Sequence, residues 1–465
     1  MKPSVQDRKR RHLPRPETST EKRTGLTPFI RKEPPLVNAS PLPGTLKDKK
    51  HRRISRNAQA LPPLLPAARF SLTGTRLFFM LPSMLLYIHV PFCRSKCRYC
   101  AFYSEPVDDD RLRQWSEALL TDMRRRAAAL EHPAVETVFF GGGTPSLVPP
   151  SVLGRILDTA ADCFSLNRHA EISMEANPES MSGDRAAGFR AAGVNRVSLG
   201  VQALDDTLLR AAGRVHDKAA ALAAFRALRN AGFDNVGLDL IWGLPGETAA
   251  GWKAQLKEAV DLAPEHLSCY GLTLEEGTPL FRDRARLQLP DEEESSVMYE
   301  EGGDLLEKAG YLQYEISNYA RSGRACRHNL GYWLGEDYLG LGPAAVSCLK
   351  GRRISQPSHT DTWLDAVREG REAGCVETLG FTERVEEFVM LRLRMAEGLD
   401  LEAYRALTGR DFAADNATLI EELIRRRMAV LNHERFALTR RGMMISNAVI
   451  EQCFETIPTA PGATA

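Results

Sequence analysis

The chain has 465 residues, with 61 Lys and Arg against 60 Asp and Glu, 43% apolar residues and 9 cysteines. That length suits about three domains, and that apolar fraction a globular core. These figures exclude a disulfide scaffold, and no run approaches the ~20 uninterrupted apolar residues of a membrane-spanning helix.

Charge is unevenly spread. Residues 1–83 carry 18 Lys and Arg, 5 Asp and Glu and 12 of the 27 prolines, whereas the remainder carries 43 basic and 55 acidic residues. The first segment cannot bury enough apolar surface to order itself and is expected to be a disordered, basic, Pro-rich extension. Its simplest explanation is an unstructured extension or a start placed too early, since Met84 opens the first strong strand, "MLLYIHVPFC". A nucleic-acid or acidic-lipid tail is the sharper alternative. Without spaced aromatics or a docking motif, no nucleic-acid partner is expected. The apolar stretch from Leu61 to Val90 is broken by Arg69, Arg76 and several prolines, which fits a cleaved signal poorly.

From Met84 onward, short β-rich runs alternate with helical patterns. The strands are "LLYIHV" (85–90), "ETVFFGG" (136–142), "EISMEA" (171–176), "RVSLGV" (196–201), "NVGLDLIW" (235–242) and "HLSCYGLT" (266–273). Segments 111–131, 151–164, 217–231 and 248–262 between them show apolar residues at helical spacing. Such alternation means parallel strands with right-handed crossovers. Six units are fewer than the eight that close a full barrel. The expected fold class is therefore α/β, a partial (β/α)6 barrel over residues 84–290. Its polar and glycine-rich features follow the strands, so they should converge on the rim at the C-terminal strand ends.

Beyond residue 290 the pattern changes. Residues 291–374 combine a helix near 291–309, short strands and the Gly-rich "YLGLGPAAVS", an extension of the barrel. Residues 375–465 look mainly helical, with "ALTRRGMMISNAVIEQCF" reading as a short strand and a final helix, a winged-helix-like domain. No repeat of solenoid period is visible.

The chemistry concentrates in "HVPFCRSKCRYCAF", His89 to Phe102, where Cys93, Cys97 and Cys100 stand at spacing C-x3-C-x2-C. Thiolates are soft ligands for zinc, copper(I) or iron–sulfur clusters. Structural zinc normally takes four ligands, and no second CxxC pair is present. A [4Fe–4S] cluster is usually held by four cysteines; with three, one iron keeps an open coordination position. A three-thiolate structural metal site is the alternative. Cys163, Cys269, Cys326, Cys348, Cys375 and Cys453 are scattered and read as small buried hydrophobes or inert thiols. The pattern suits a reducing cytoplasm. "GGGTP" at 141–145 has neither dinucleotide-binding nor Walker spacing. It is a close-approach loop or a tight turn.

A C-x3-C-x2-C loop after the first strand, with Tyr99 before the third cysteine, resembles the radical S-adenosylmethionine (SAM) superfamily. There the open iron holds the amino and carboxylate groups of SAM. "YIHVPFC", "FFGGGTPS", "EANPE", "SLGVQ" and "DLIWGLPGET" together resemble the oxygen-independent coproporphyrinogen III oxidase family and its HemW-like heme-chaperone relatives, over roughly residues 84–450. The resemblance implies that Cys93, Cys97 and Cys100 hold a [4Fe–4S] cluster, and that Tyr87, Tyr99, Gly142, Gly143, Thr144, Glu175, Gln202, Arg214 and Asp239 contact SAM.

Two departures separate the branches. The oxidase pattern has a fourth cysteine two residues after the third, where this chain has Phe102. "CRHNLGYW" at 326–333 resembles the H-N-x-x-Y-W signature of the chaperone branch, which implies heme contact by His328, Asn329, Tyr332 and Trp333. Histidine is a common axial ligand of heme iron; a capping and core-packing role for the same residues is the plainer reading, and Cys326 an alternative ligand. His89 reads as support for the cluster loop. The resemblance thus implies a heme chaperone with a [4Fe–4S] cluster, SAM and heme, delivering heme to a membrane-associated respiratory acceptor, with a homodimer compatible and a cytoplasmic location in peripheral contact with the inner membrane. The alternative is oxidative decarboxylation of coproporphyrinogen III.

Overall fold

The computed structural model describes residues 83–459 except residue 373. Apart from Ser83, the expected basic extension lies outside the described residues. The elements begin β1 (Ser83–Val90), β2 (Phe92–Cys93), β3 (Glu105–Pro106), α1 (Asp109–Ala129), β4 (Ala134–Gly142), α2 (Pro150–Cys163), β5 (Ser165–Ala176) and α3 (Gly183–Ala191). They continue with β6 (Arg196–Gln202), α4 (Asp206–Ala212), α5 (Lys218–Asn230), β7 (Val236–Trp242), α6 (Ala249–Asp261) and β8 (His266–Gly271). These form the expected β/α alternation. Helix starts follow local chemistry: the side chains of Asp108, Asp217 and Thr248 accept backbone N–H bonds at the first turns of α1, α5 and α6.

The next segment carries α7 (Pro279–Asp283), α8 (Glu292–Lys308), β9 (Leu312–Gln313), β10 (Asn318–Ala320), α9 (Arg327–Trp333), β11 (Tyr338–Leu341), β12 (Val346–Leu349), β13 (Arg352–Ser355), α10 (Thr360–Arg368) and β14 (Cys375–Thr378). One 12-stranded sheet runs in the order β14-β13-β12-β11-β1-β4-β5-β6-β7-β8-β10-β9. Its terminal strands β14 and β9 do not pair with each other, so the barrel is open.

The six expected strands are all present, and β11, from the segment beyond residue 290, adds a seventh to the parallel run by joining β1. That strand lies in "YLGLGPAAVS". It is four residues long, and Gly340 is there for a reason: a Cβ would sit 2.1 Å from the Val346 carbonyl oxygen of β12. Too short and too glycine-rich to show a period, it is a strand by virtue of its neighbours.

The parallel strands have two unlike faces. Leu86, Ile88, Val138, Phe140, Met174, Val197, Leu199, Leu238, Leu240 and Leu267 are buried in the apolar core that the helices share. Their period-2 neighbours include Thr137, Ser173, Glu175, Ser198, Asp239, His266 and Ser268, so the inner face is largely polar.

The C-terminal region is mainly helical, as expected. It contains α11 (Phe381–Arg392), β15 (Leu399–Asp400), α12 (Leu401–Thr408), α13 (Phe412–Asp415), α14 (Ala417–Arg425), β16 (Ala429–Leu431), β17 (Arg435–Leu438), α15 (Arg440–Met443) and α16 (Ser446–Phe454). A three-stranded sheet, β15-β17-β16, holds these helices together.

Candidate functional site

The cysteine loop leaves the C-terminal end of β1 and is fastened from several sides. β2 pairs with β3 across the loop. The N–H groups of Gly143 and Thr144 donate to the carbonyls of Val90 and Phe92 at 2.8 and 2.7 Å. Arg98 N–H donates to Ala212 at the end of α4, 3.1 Å, and Leu280 N–H of α7 donates to Arg98, 3.0 Å. A 2.6 Å ion pair joins Arg98 to Asp283.

The glycines of "GGGTP" serve this docking. A Cβ on Gly143 would lie 2.5 Å from the Phe92 carbonyl oxygen. Gly142 has φ +108°, and a Cβ there would lie 2.4 Å from the His89 ring. The close approach is therefore to the protein's own cysteine-bearing segment.

Donors point at the thiols. Arg214 Nη1 donates to Cys97 Sγ at 3.3 Å, and its Nη2 donates to Asn177 Oδ1 at 2.7 Å and the Gly200 carbonyl at 3.1 Å. Thr144 Oγ1 donates to Cys93 Sγ at 3.5 Å while accepting from Asn177 Nδ2 at 3.0 Å. Such donors favour thiolate ligands. Among the described residues, no three His, Cys, Asp or Glu side chains converge as ligands of a single ion would. The three thiols instead line the wall of one cavity of about 650 Å³, an arrangement suited to a cluster in which each thiolate meets a different iron.

This upper cavity gathers most of the expected SAM residues: Tyr99, Gly142, Gly143, Thr144, Glu175, Gln202, Arg214 and Asp239. Glu175 Oε2 accepts from Gly142 N–H at 3.1 Å, and Asp239 Oδ1 accepts from Ser198 Oγ at 2.9 Å. Gln202 ends β6 at φ +67°, where the register against β7 shifts. That irregularity turns the strand end toward the cavity. Tyr99 packs beside the small apolar cluster that includes Leu208, Leu209 and Leu280. Tyr87 is placed elsewhere. It lines the second cavity, and its hydroxyl is 3.2 Å from His89 Nδ1. His89 Nε2 is buried without a partner.

The second cavity, about 210 Å³, lies deeper and shares Phe102, Gly142, Glu175, Ser198, Asp239 and Tyr270 with the first. His328, Asn329, Tyr332 and Trp333 border it from α9. They sit toward the N-terminal strand ends, away from the cysteine rim. Glu171 of β5 explains the placement: its carboxylate accepts N–H bonds from Arg327 at 2.9 Å and His328 at 3.2 Å, capping α9 from another element.

His328 is 1% exposed and both ring nitrogens are engaged, Nδ1 with Thr137 Oγ1 at 2.7 Å and Nε2 with the Tyr332 hydroxyl at 3.0 Å. Its ring stacks on Phe139 at 5.0 Å. Burial, helped by Arg196, pushes its pKa down to about 3. In this arrangement both nitrogens are taken up by side chains of β4 and α9, and the ring is packed against Phe139. Asn329 Nδ2 donates to the Tyr314 hydroxyl at 3.2 Å. Trp333 Nε1 is buried without a partner. Cys326 donates to Glu171 at 3.4 Å, and burial pushes its thiol up to about 12, which disfavours a thiolate.

Sequence reasoning missed Thr137, Glu171, Asn177, Arg196, Ser198 and His266. For all but Asn177, which follows β5, the shared signal is alternation, with polar residues at every second position of strands whose other positions are apolar.

Residues 87–259 match the model of the radical SAM superfamily, and residues 382–445 that of the HemN C-terminal domain. The chain is 37% identical to the heme chaperone HemW of Mycobacterium tuberculosis over 78% of this chain and 93% of that protein. This chain belongs to the HemW family of radical SAM proteins. Other family members are similar to it at comparable levels. HemW of Escherichia coli is 37% identical over 71% of this chain and 87% of that protein. The mitochondrial radical S-adenosyl methionine domain-containing protein 1 of Mus musculus is 35% identical over 78% and 86%. Among solved structures, coproporphyrinogen III oxidase (HemN) of Escherichia coli superposes with a TM-score of 0.71 at 23% identity, covering 81% of this chain and 91% of that one. That likeness carries the fold. No helix among the described residues is long and apolar enough to cross a membrane.

Proposed function

We propose that this protein is a heme chaperone that binds heme and hands it to an acceptor protein. The observation that carries the reading is the pairing of two cavities with common walls, one ringed by three thiols and the other lined by Tyr87, Phe139, Tyr270, Tyr314 and Tyr332. A porphyrin offers flat apolar faces, and aromatic side chains suit them. The names of the HemW relatives support the same reading.

On this reading Cys93, Cys97 and Cys100 hold a [4Fe–4S] cluster whose fourth iron is open to SAM. Bound together, cluster and SAM supply the superfamily's one-electron chemistry. The residues around them orient the ligand. Glu175 and Asp239 accept hydrogen bonds from an amine or hydroxyl, Gln202 donates or accepts at the rim, and Arg214 supplies charge beside Cys97. Thr144 and Arg214 stabilise the thiolates by donating to sulfur. Phe102, where the oxidase pattern has a cysteine, borders both cavities. It adds an apolar wall and no further metal ligand. A membrane-associated respiratory protein is the proposed acceptor.

The test is an anaerobic heme titration of the cluster-reconstituted protein, read by Soret absorption, followed by transfer to an apo-acceptor. Stoichiometric binding and transfer are expected. Absence of tight heme binding together with turnover of coproporphyrinogen III would overturn the reading in favour of the oxidase.

A further inference from the structure

Arg196, the first residue of β6, is 2% exposed and lines the deeper cavity. Among the described residues no hydrogen bond or ion pair reaches its guanidinium, and Nε is buried with no partner. Buried arginines almost always have partners, because an unpaired charge out of water is costly. The nearby acids Glu171 and Asp239 favour its charge from a distance, but their oxygens accept hydrogen bonds from other groups. Glu171 accepts from Ser173, Cys326 and the N–H groups of Arg327 and His328. Asp239 accepts from Ser198.

A second group beside it is also unsatisfied. His266 is buried at the start of β8; its Nε2 lies 2.8 Å from the Tyr314 hydroxyl, while Nδ1 has no partner. The strand between them carries Gly237, in register with both Ser198 and His266. A Cβ on Gly237 would lie 3.3 Å from His266 Nδ1, so glycine leaves the floor between β6 and β8 free of a side chain.

We propose that Arg196 anchors a carboxylate of the ligand in the deeper cavity, which on the heme-chaperone reading is a propionate of heme. A guanidinium presents two parallel N–H donors to a carboxylate, and it does so best where water is excluded. Aromatic walls and a guanidinium free of hydrogen bonds at the base suit a flat, apolar body that ends in a carboxylate, seated at Arg196 and apart from Glu175, Asp239 and Glu315, the acids that also line the cavity. This anchor stands at the opposite end of the strands from the cysteines. Arg196 therefore sets how deep the ligand sits and which edge faces the cluster. It is a positioning residue.

The test compares heme with heme dimethyl ester, which lacks free carboxylates, by anaerobic titration of wild type, Arg196→Lys and Arg196→Met, with near-ultraviolet circular dichroism as the fold check. Wild type should bind heme at least tenfold more tightly than the ester. Arg196→Met should lose that preference while still binding the ester, and Arg196→Lys should keep part of it. Equal affinity of wild type for both ligands overturns the inference whatever the variants do. So does a wild-type-sized preference in a folded Arg196→Met. Wild type that binds neither ligand overturns the heme reading itself, a result distinct from binding without preference.

Discussion

Gly142 and His89 fit against each other so closely that a single methyl group on the glycine would lie 2.4 Å from the imidazole. Together with Gly143 against Phe92, this contact sets where the cysteine loop lies. Gly142→Ala is also strained by the φ of +108° at this position. Both Gly142→Ala and Gly143→Ala should cut iron and sulfide incorporation severalfold after reconstitution. The far-ultraviolet circular dichroism should stay close to wild type. Normal incorporation in both variants would refute the docking role.

Arg214 bonds one cysteine sulfur and holds Asn177, which in turn bonds Thr144 beside another. Hydrogen bonds to the sulfurs are one of the means by which proteins set cluster potentials. A positive donor favours the more negative, reduced cluster. Arg214→Met should therefore lower the reduction potential and make the cluster more labile to oxygen. Potentiometry of the reconstituted protein checks the sign.

The Thr137–His328 bond predicts a stability effect separable from heme binding. Thr137→Val leaves a buried imidazole nitrogen unpaired, at a cost of about 1–3 kcal/mol. His328→Ala also opens a cavity and should cost about 2–4 kcal/mol. Urea unfolding measures both. A His328→Ala protein with unchanged stability but no heme binding would refute the packing role and point to a ligand role for this histidine.

Acid should weaken the fold through buried neutral histidines. Burial pushes His328 from 6.5 down to about 3 and His89 down to about 4, and holds His266 well below its ordinary value. Each binds its proton more readily when unfolded, so the stability it lends is present above about pH 6.5 and is lost as pH falls through the folded value. Glu315 works oppositely. Burial raises it to about 7, so its contribution grows as pH falls toward 4.5. Glu247, which burial likewise raises to about 7, acts with it. Three histidines thus oppose two glutamates, and the unfolding midpoint in urea should drop from pH 7 to pH 5 by less than the histidines alone would give. His328→Gln should remove about 2 kcal/mol of the histidines' share. An equally steep profile in the variant would sink the argument.

Glu171 should matter beyond its own strand. It caps α9 from β5, so Glu171→Gln weakens two N–H bonds by removing the charge that accepts them. A loss of about 1–2 kcal/mol is expected, with faster amide exchange at Arg327 and His328.

Much of this was legible in the chain, for physical reasons. The six parallel strands show because their outer faces are strings of Leu, Val, Ile and Phe set between amphipathic helices. The cysteine rim shows because thiol spacing is local. Two things did not show. β11 is too short to display a period and is held by pairing with β1 and β12. The position of α9 depends on Glu171, about 155 residues before Cys326, and a cap from so distant an element leaves no mark in the local sequence. "HNLGYW" was therefore visible as a motif while its end of the barrel was not.

The deeper cavity is bordered at its far side by Gly335 and Glu336, both exposed, and at its near side by residues of the cysteine rim. On the heme-chaperone reading, the cargo would then lie beside surface residues remote from the cysteine rim, and cofactor exchange at the rim would not require the cargo to leave first.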